Sequence, residues 1–549
     1  MRSPFRRSPL LALISALALL NGVFLALEFP WAGFPPAHAV ALEAVAIVGL
    51  LALIPPFRGR RWLTGSVALF AVVVAFCALG DTLMQRMQGR SLNLYTDLGL
   101  IPILLELMVS NLGYALATAL VAALGVGAFL LGLALQYLLR RFDGRSTPWP
   151  LALALGVVGV GGLVGVAPLS ESEATDGATG VAISALGQPL VGFIDFEWQR
   201  ASDTRAALET FGQRLATEPA YPVQGQALPG LADIDVVLGF IESYGVAAVE
   251  REPFADTVRP RLAALEQTLD EAGLSMVTGR VTAATLGGQS WLNHATFLSG
   301  LPVTSQLRFE LMMNRPRSTL IDDFTATGHR TLAVMPGITR AWPEGERYGY
   351  DEIHVEATMD YRGPPIGWAS MPDQFTWQRV AQYALAEDAD TPTFTELATL
   401  SSHAPWYPAI EPLEDWDALG DGEVFSRWAG VGEDYAKLWQ DPDEMRDYYA
   451  PAIDYALATV GGFARRYVDD HTLLIVLGDH QAAPAVIGRR PGRDVPIHVI
   501  SGDPALLEGF LKAGFRTGTL PPGPESARPM ETMRGLLHRL YGEARNATP

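Results

Sequence analysis

The feature that most limits how this chain can fold is a series of long apolar runs in its first third. Each run is long enough, or nearly so, to cross a hydrocarbon core of about 30 Å as a helix. The runs predict an α-helical membrane domain with five spans over residues 1–169. A cleaved signal peptide fits the first run less well, because Glu28 and several prolines lead directly into the next apolar run. The runs lie near residues 10–27, 40–54, 63–80, 114–139 and 151–167.

Arginines in alternate loops orient this membrane domain. Basic residues favour the cytoplasmic side of spanning helices, and an odd number of spans then exports everything after the fifth. The apolar stretch 98–109 is too short for a span and includes the acidic residue Glu106. We therefore expect an interfacial or re-entrant segment there rather than a sixth span. The expected location is the inner (cytoplasmic) membrane, multi-pass, with the C-terminal part on the extracytoplasmic side. The arginines are Arg2, Arg6 and Arg7, then Arg58, Arg60 and Arg61, then Arg140, Arg141 and Arg145.

Cysteine content and charge limit what the exported part can be. The only cysteine, Cys77, falls in the third apolar run, so the exported part has neither disulfides nor thiol chemistry. The formal net charge is −19, although arginines dominate the membrane part. Such an acidic exported surface excludes nucleic acid as an expected partner.

After residue 233 the pattern changes to short apolar runs separated by amphipathic stretches. Residues 170–233 contain a polar linker, 170–180, and connecting helices, and we expect the catalytic domain to occupy 234–549. Strands that alternate with helices predict an α/β fold with a largely parallel sheet, whose ligands bind beyond the carboxyl ends of the strands. The predicted strands are residues 234–241, 331–336, 394–400, 473–478 and 495–501.

Several chemically active side chains closely follow these strands. Glu242, His403, Asp479 and His480 each come after an apolar run. A single carboxylate there is often a helix cap, and a single histidine is often structural, but together they suit Zn²⁺ or Mn²⁺. The hydroxyl of Ser290 supplies a further ligand. A serine bound to such an ion becomes a nucleophile for a phosphoryl group, and His403 would stabilise or protonate the leaving oxygen.

The stretch "GGQSWLNHATFLSG" (287–300) sets three polar side chains on adjacent turns behind a glycine pair. Residues three and four apart share one helix face, so Ser290, Asn293 and His294 can present a hydroxyl together with supporting polar groups. In the alternative interpretation, Ser290 is an N-cap and its two neighbours are solvated. The metal-type residues elsewhere in the chain favour the first interpretation.

The ordered set of an acidic strand end, a helix-start serine followed by "SGL", "SHAPW" and "GDH" resembles the alkaline phosphatase and sulfatase superfamily. Within it, the set is similar to the membrane-anchored branch of lipoteichoic acid synthase and the periplasmic glucan phosphoglycerol transferases. That branch has five spans before an exported catalytic domain. "RSLNLYTDLGLIP" (90–102) resembles a segment of the same branch.

The resemblance implies a role for each matching position. It implies that Glu242, Ser290, Asp479 and His480 form the metal site, with Ser290 as nucleophile. His403 would bind substrate near the phosphoryl group, and Asn293 and His294 would line the pocket. Trp342 resembles an aromatic residue of the substrate pocket. The branch continues "W-N-R" there, whereas this chain has Pro343 and Glu344, so the phosphate-gripping arginine is missing at that point.

The expected function is a metal-dependent phosphotransferase. It would take a phosphoglycerol-like head group from a membrane phospholipid onto Ser290 and pass it to an extracytoplasmic glycan or polymer. A formylglycine sulfatase fits poorly, because the positions of its maturation motif hold Leu292 and His294. A membrane-anchored phosphodiesterase, phosphatase or sulfatase-like hydrolase and an inert membrane scaffold of the same fold stay open as alternatives.

Overall fold

A computed structural model describes most of the chain as two compact units. The described residues are 8–29, 36–165, 185–217, 227–315, 317–385, 391–431, 438, 441–488 and 491–543. The first unit comprises Met1–Arg86 and Arg90–Ala207, and the second comprises Met87–Gly89 and Leu208–Pro549. The linker predicted at 170–180 lies outside the described residues, and the domain boundaries predicted after residues 169 and 233 stay predictions.

The first unit is almost entirely helical. Its strands β1 (Val40–Ala41) and β2 (Leu186–Gly187) form a short parallel pair. The helices are α1 (Pro9–Leu25), α2 (Leu42–Leu53), α3 (Arg60–Gln88), α4 (Leu94–Asp97), α5 (Ile101–Leu139), α6 (Trp149–Gly165) and α7 (Pro189–Thr217), whose last turns belong to the second unit.

Three helices in the described part of the chain are long and apolar enough to cross a membrane: Pro9–Glu28, Arg60–Gln88 and Leu112–Leu139. Five spans are therefore not confirmed. The run predicted at 40–54 begins as strand β1, so only the 12 residues of α2 are helical, a length of about 18 Å. Helix α6 has 17 residues. Over the residues that the structure describes, both helices are shorter than the roughly 20 residues typical of a span.

The segment at 98–109 is helical rather than a separate re-entrant loop. It begins with a 3₁₀ turn, Leu98–Leu100, and continues as the first turns of α5. Gly113 interrupts the helix with φ 73° and ψ 161°, a backbone conformation that glycine adopts without a Cβ clash. The kink separates residues 101–112 from residues 114–139, which make up most of the apolar stretch Leu112–Leu139.

In the described residues of the second unit, nine strands form one mixed sheet. The order is β10-β4-β9-β8-β3-β7-β5-β6, with β11 beside β4. The strands are β3 (Asp235–Ile241), β4 (Ser275–Thr282), β5 (Arg330–Met335), β6 (Glu352–Val355), β7 (Thr393–Ala398), β8 (Thr472–Gly478), β9 (Asp494–Ser501), β10 (Arg516–Thr517) and β11 (Arg528–Pro529).

The expectation of a largely parallel sheet is not confirmed. Strands β8, β3, β7, β5 and β6 are parallel, whereas β9 runs antiparallel to both β8 and β4. A parallel return normally needs a crossover of a dozen or more residues built around a helix. Between β8 and β9 the described chain forms only the short helix Pro484–Ile487, and the strand returns in the opposite direction.

Helices cover both faces of this sheet. Side chains alternate along β3, so that Val236, Leu238 and Phe240 enter one apolar core and Val237 and Ile241 enter the other. The helices are α8 (Val246–Glu250), α9 (Ala255–Glu271), α10 (Ser290–Ser299), α11 (Gln306–Met313), α12 (Leu320–Thr327), α13 (Pro343–Tyr348), α14 (Asp373–Ala384), α15 (Pro442–Asp447), α16 (Tyr449–Tyr467), α17 (Pro484–Ile487), α18 (Glu508–Lys512) and α19 (Thr532–Tyr541).

Candidate active site

The strand register brings two acidic side chains together at the carboxyl edge of the sheet. Strands β3 and β8 are neighbours, and Ile241 is paired with Gly478, so Glu242 and Asp479 leave the sheet side by side. The backbone N–H groups of Ser243 and His480 donate to Asp479 Oδ1 at 2.8 and 2.6 Å. These two bonds fix the Asp479 carboxylate at the edge.

Ser290 reaches the same edge from β4. That strand is antiparallel to β9, which is antiparallel to β8, so β4 and β8 point the same way. The loop between β4 and helix α10 ends with Gly287, Gly288 and Gln289 at positive φ (69°, 138° and 65°). Glycine adopts such left-handed backbone conformations most readily. The N-cap of α10 is Gln289, and Ser290 is the first residue of the helix. The N-cap interpretation of Ser290 is therefore not realised.

The hydroxyl of Ser290 contacts a carboxylate and an imidazole. It donates to Glu242 Oε2 at 3.2 Å and lies 3.2 Å from His480 Nε2. The other oxygen of Glu242 accepts a hydrogen bond from the Ser243 hydroxyl at 2.8 Å. Ser290 thus stands directly over the acidic pair at the start of a helix.

The residues at this edge fit a divalent cation. Glu242, Asp479 and His480 each offer one ligand atom, and these atoms all lie within 4.8 Å of one another. All three side chains are buried, and two buried carboxylates around one imidazole repel each other unless a cation or protons neutralise them. Nitrogen and carboxylate donors of this kind suit Zn²⁺ or Mn²⁺.

The pKa values of the cluster reflect the burial of its charged groups and the repulsion between its two carboxylates. Burial, together with the charge of Glu242, raises the pKa of Asp479 to about 6. Burial alone would lower the pKa of His480, but the carboxylates of Asp479 and Glu242 outweigh it and raise that pKa. Both shifts favour the protonated forms, and a bound cation would compete with those protons.

His403 follows β7, the neighbour of β3 on the other side. Its Nδ1 lies 2.7 Å from the carbonyl oxygen of Ala404, and its ring stacks on Trp368 at 3.5 Å. Burial lowers the pKa of His403 to about 4, so the ring is neutral near pH 7. Because the carbonyl only accepts, Nδ1 carries the proton and Nε2 is an acceptor. The expectation that His403 protonates the leaving oxygen does not fit this state.

The remaining predicted residues take different positions. His294 lies one turn after Ser290 and is partly exposed. Asn293 is fully buried, and its Oδ1 accepts from the N–H groups of Ala284 and Thr285 at 2.8 and 3.2 Å. Asn293 therefore holds the loop before α10 and does not line a surface, because its amide is used inside the protein. Trp342 is partly buried at the start of α13.

Two residues near the site were not predicted. Trp368 stacks on His403, and Glu396 of β7 lies 2.7 Å from His294 Nδ1 through Oε1. Glu396 had a signal in the sequence, since it is the one charged residue in the strand "TFTELA". A buried charge in a strand needs a partner, which is reason enough to look for one.

Comparison with known proteins gives structural neighbours only. No protein-family model matches the chain, and no curated protein matches it in sequence. The chain is similar to the lipoteichoic acid synthase LtaP from Listeria monocytogenes, with 12% identity, a TM-score of 0.36, and coverage of 58% of this chain and 74% of that one.

Two other solved structures are similar to a comparable degree. One is a protein in the alkaline phosphatase superfamily from Vibrio parahaemolyticus (16% identity, TM-score 0.35, 62% of this chain and 75% of that chain). Another is the C-terminal periplasmic domain of EptC from Escherichia coli in complex with Zn (15%, 0.33, 50% and 74%). All three TM-scores lie below 0.5. One of these neighbours belongs to the alkaline phosphatase superfamily, which is the superfamily that the sequence motifs resemble.

Proposed function

We propose that this protein is a membrane-anchored, metal-dependent phosphotransferase. It transfers a phosphoglycerol-like head group from a phospholipid to Ser290 and then to a hydroxyl of an extracytoplasmic glycan or polymer. The observation that carries the proposal is the contact of the Ser290 hydroxyl with Glu242 and His480, both at 3.2 Å, beside Asp479. A helix-start hydroxyl above such a ligand set is arranged for nucleophilic attack.

A divalent cation would be held by Glu242, Asp479 and His480. When bound, it supplies positive charge that favours the ionised serine hydroxyl and neutralises negative charge on a phosphoryl group. Glu242 orients the hydroxyl as a hydrogen-bond acceptor. The N-terminal end of α10, where Ser290 sits, favours negative charge through its unpaired N–H groups and helix dipole.

Transfer breaks the bond between phosphorus and the lipid oxygen, forms one between phosphorus and Ser290 Oγ, and releases a diacylglycerol whose oxygen takes up the proton that the serine loses. An acceptor hydroxyl then attacks phosphorus, the bond to Ser290 Oγ breaks, and the proton of the acceptor hydroxyl returns to the serine. His403 supports this second half, because its neutral Nε2 can accept a hydrogen bond from the incoming hydroxyl. Water in place of that hydroxyl would make the same site a phosphodiesterase.

The apolar helices of the first unit support a lipid as the donor. Three of its helices are long and apolar enough to cross a membrane. We propose the inner membrane as the location, with several spans and the site on the extracytoplasmic side. The donor then lies in the leaflet next to the catalytic unit.

The test is covalent capture of the head group. The full-length protein, loaded with Mn²⁺ or Zn²⁺ and mixed with phosphatidylglycerol vesicles, is quenched and digested. We expect a phosphoglycerol increment on the peptide that contains Ser290. Ser290→Ala should abolish turnover, a loss of several orders of magnitude, while metal binding persists through the other three ligands.

Ser305→Ala is the matched control, because Ser305 begins another helix of the same unit without a metal-type cluster and caps it through Arg308 N. It should keep full activity. Normal turnover in Ser290→Ala would refute the covalent route. Product analysis with glycerol present separates transfer from hydrolysis, since only transfer yields a new glycerol phosphodiester.

A further inference from the structure

His294 shares the exposed side of the nucleophile helix. In α10 the residues that are not buried are Ser290, Trp291 and His294, and the other seven are buried. Ser290 and His294 are four residues apart, so their Cβ atoms lie on one helix face at about 5–6 Å. A group attached to Ser290 Oγ therefore has the His294 ring within the reach of a small head group.

Buried contacts fix the orientation of that ring. Its Nδ1 lies 2.7 Å from Glu396 Oε1, and one ring face stacks on Phe240 at 3.8 Å. A carboxylate accepts hydrogen bonds, so Nδ1 carries the proton that is shared with Glu396. This fixed tautomer leaves Nε2 as the nitrogen available to a ligand.

Glu396 is itself held from the opposite side. It lies within β7 beside Leu238 of β3, and its side chain is only 1% exposed. Its second oxygen accepts a hydrogen bond from the Tyr350 hydroxyl. Burial raises the pKa of Tyr350 well above its ordinary value, so Tyr350 keeps the proton that it donates. The ring of Trp342 lies next to that of Tyr350, with 6.3 Å between the ring centroids.

The free nitrogen distinguishes His294 from a structural histidine. His498 is 1% exposed, and both of its ring nitrogens are bonded, to Thr278 and Tyr244 at 2.8 and 3.1 Å. For His294, no partner of Nε2 is found among the residues that the structure describes, and its side chain is 12% exposed. One nitrogen of His294 is therefore anchored, and the other is available to a ligand.

We propose that Glu396 and Tyr350 position His294 to accept a hydrogen bond from a donor group on the transferred head group, its hydroxyl or ammonium. His294 is the specificity-determining contact, and Glu396 and Tyr350 are positioning residues. The preferred head group therefore carries a hydrogen-bond donor a few atoms from phosphorus, as glycerol does. The inference rests on the proposed function, because it places the head group on Ser290.

The test compares two donor lipids that differ in this donor group. Vesicles contain either phosphatidylglycerol or phosphatidylmethanol, whose head group has no hydroxyl. The full-length, metal-loaded protein is mixed with each, and the rate of Ser290 adduct formation is measured in single turnover. For His294→Ala we expect a loss of about tenfold with phosphatidylglycerol and little change with phosphatidylmethanol.

Two further variants address the positioning residues. Glu396→Gln keeps the shape but weakens the anchor, and Tyr350→Phe removes only a hydroxyl. In both variants, the ratio of the adduct-formation rate with phosphatidylglycerol to the rate with phosphatidylmethanol should fall. The midpoint of thermal unfolding should stay close to that of the wild-type protein. The matched control is His354→Ala, since His354 also pairs with a glutamate, Glu352, at 3.2 Å, but stacks on Tyr383. It should leave the preference unchanged.

Each result separates the two proposals. Equal losses with both lipids in His294→Ala would overturn the head-group contact, because the ring would then act on the phosphoryl group or the fold. An unchanged rate with phosphatidylglycerol in His294→Ala would overturn it too. Absence of any Ser290 adduct in the wild-type protein would instead refute the proposed function, and this inference with it.

Discussion

At the scale of single residues, Asp479 would make the proposed metal binding depend on pH. Its pKa is raised to about 6 by burial and by Glu242, and a metal ligand must lose its proton. The proton stabilises the metal-free fold, so its free energy of unfolding falls as pH rises from about 4 to about 6. We expect the increase in Tm produced by Zn²⁺ to be large at pH 7.5 and mostly lost at pH 5.

Thermal unfolding with and without Zn²⁺ from pH 5 to 8 measures this dependence. Asp479→Asn removes the acid that titrates and should leave a small metal-induced increase at every pH. Asp494→Asn is the control, because Asp494 is a partly buried acid of β9 outside the cluster. The same Zn²⁺ effect at pH 5 and pH 7.5 in the wild-type protein would contradict the prediction.

The sequence singled out the residues of the cluster because each follows a strand. Glu242 and Asp479 end neighbouring parallel strands, which is the arrangement that short apolar runs predict. Asn293 shows the limit of such reasoning, since helix spacing does not reveal that its amide faces a loop inside the protein. The pairing of Glu396 with His294 joins residues 102 apart in the chain, and only the folded sheet brings them together.

At the scale of elements, close packing of α2 against α6 depends on glycine. A Cβ at Gly159 would lie 2.3 Å from the backbone nitrogen of Ala46, and one at Gly49 would lie 2.5 Å from that of Gly156. Small residues let apolar helices approach closely, which is how helices associate in a membrane. These two helices are therefore held at backbone contact.

Gly159→Val should force this pair of helices apart. The expected cost is about 1–3 kcal/mol, as for other overpacked interiors. We expect a lower midpoint of thermal aggregation for the full-length protein in detergent. Gly161→Val is the matched control on the same helix, because a Cβ at Gly161 meets nothing within 4 Å. Equal midpoints for the two variants would show that the contact contributes little.

The strands that were predicted and those that were not differ in composition. The five predicted runs are mostly apolar, and the more apolar of them have the composition expected for strands buried on both faces. Strand β4 reads "SMVTGRVT", and its buried Thr278 and Arg280 hide it from a hydropathy pattern. Strand β6 has only four residues at the sheet edge. The direction of β9 depends on how the chain returns from β8, which apolar character does not encode.

At the scale of the whole molecule, the apolar core of the second unit includes side chains that precede β3. Phe211, in the last turns of α7, is 2% exposed and belongs to the same apolar core as Leu228 and Leu231, which are fully buried. These three side chains precede β3. A catalytic unit cut at residue 234 would therefore leave part of its core uncovered.

We expect a fragment of residues 208–543 to be more stable than one of residues 234–543. Full burial of each large apolar side chain is worth about 1.5–3 kcal/mol, so loss of three removes several kcal/mol from a marginal total. Urea unfolding of the two fragments measures the difference. Within the longer fragment, Phe211→Ala should lower the free energy of unfolding by about 3–5 kcal/mol. Leu520→Ala, at a side chain that is 54% exposed, should change it little. Identical urea midpoints for the two fragments would place the start of the catalytic unit at β3, because the core would then be complete without residues 208–233.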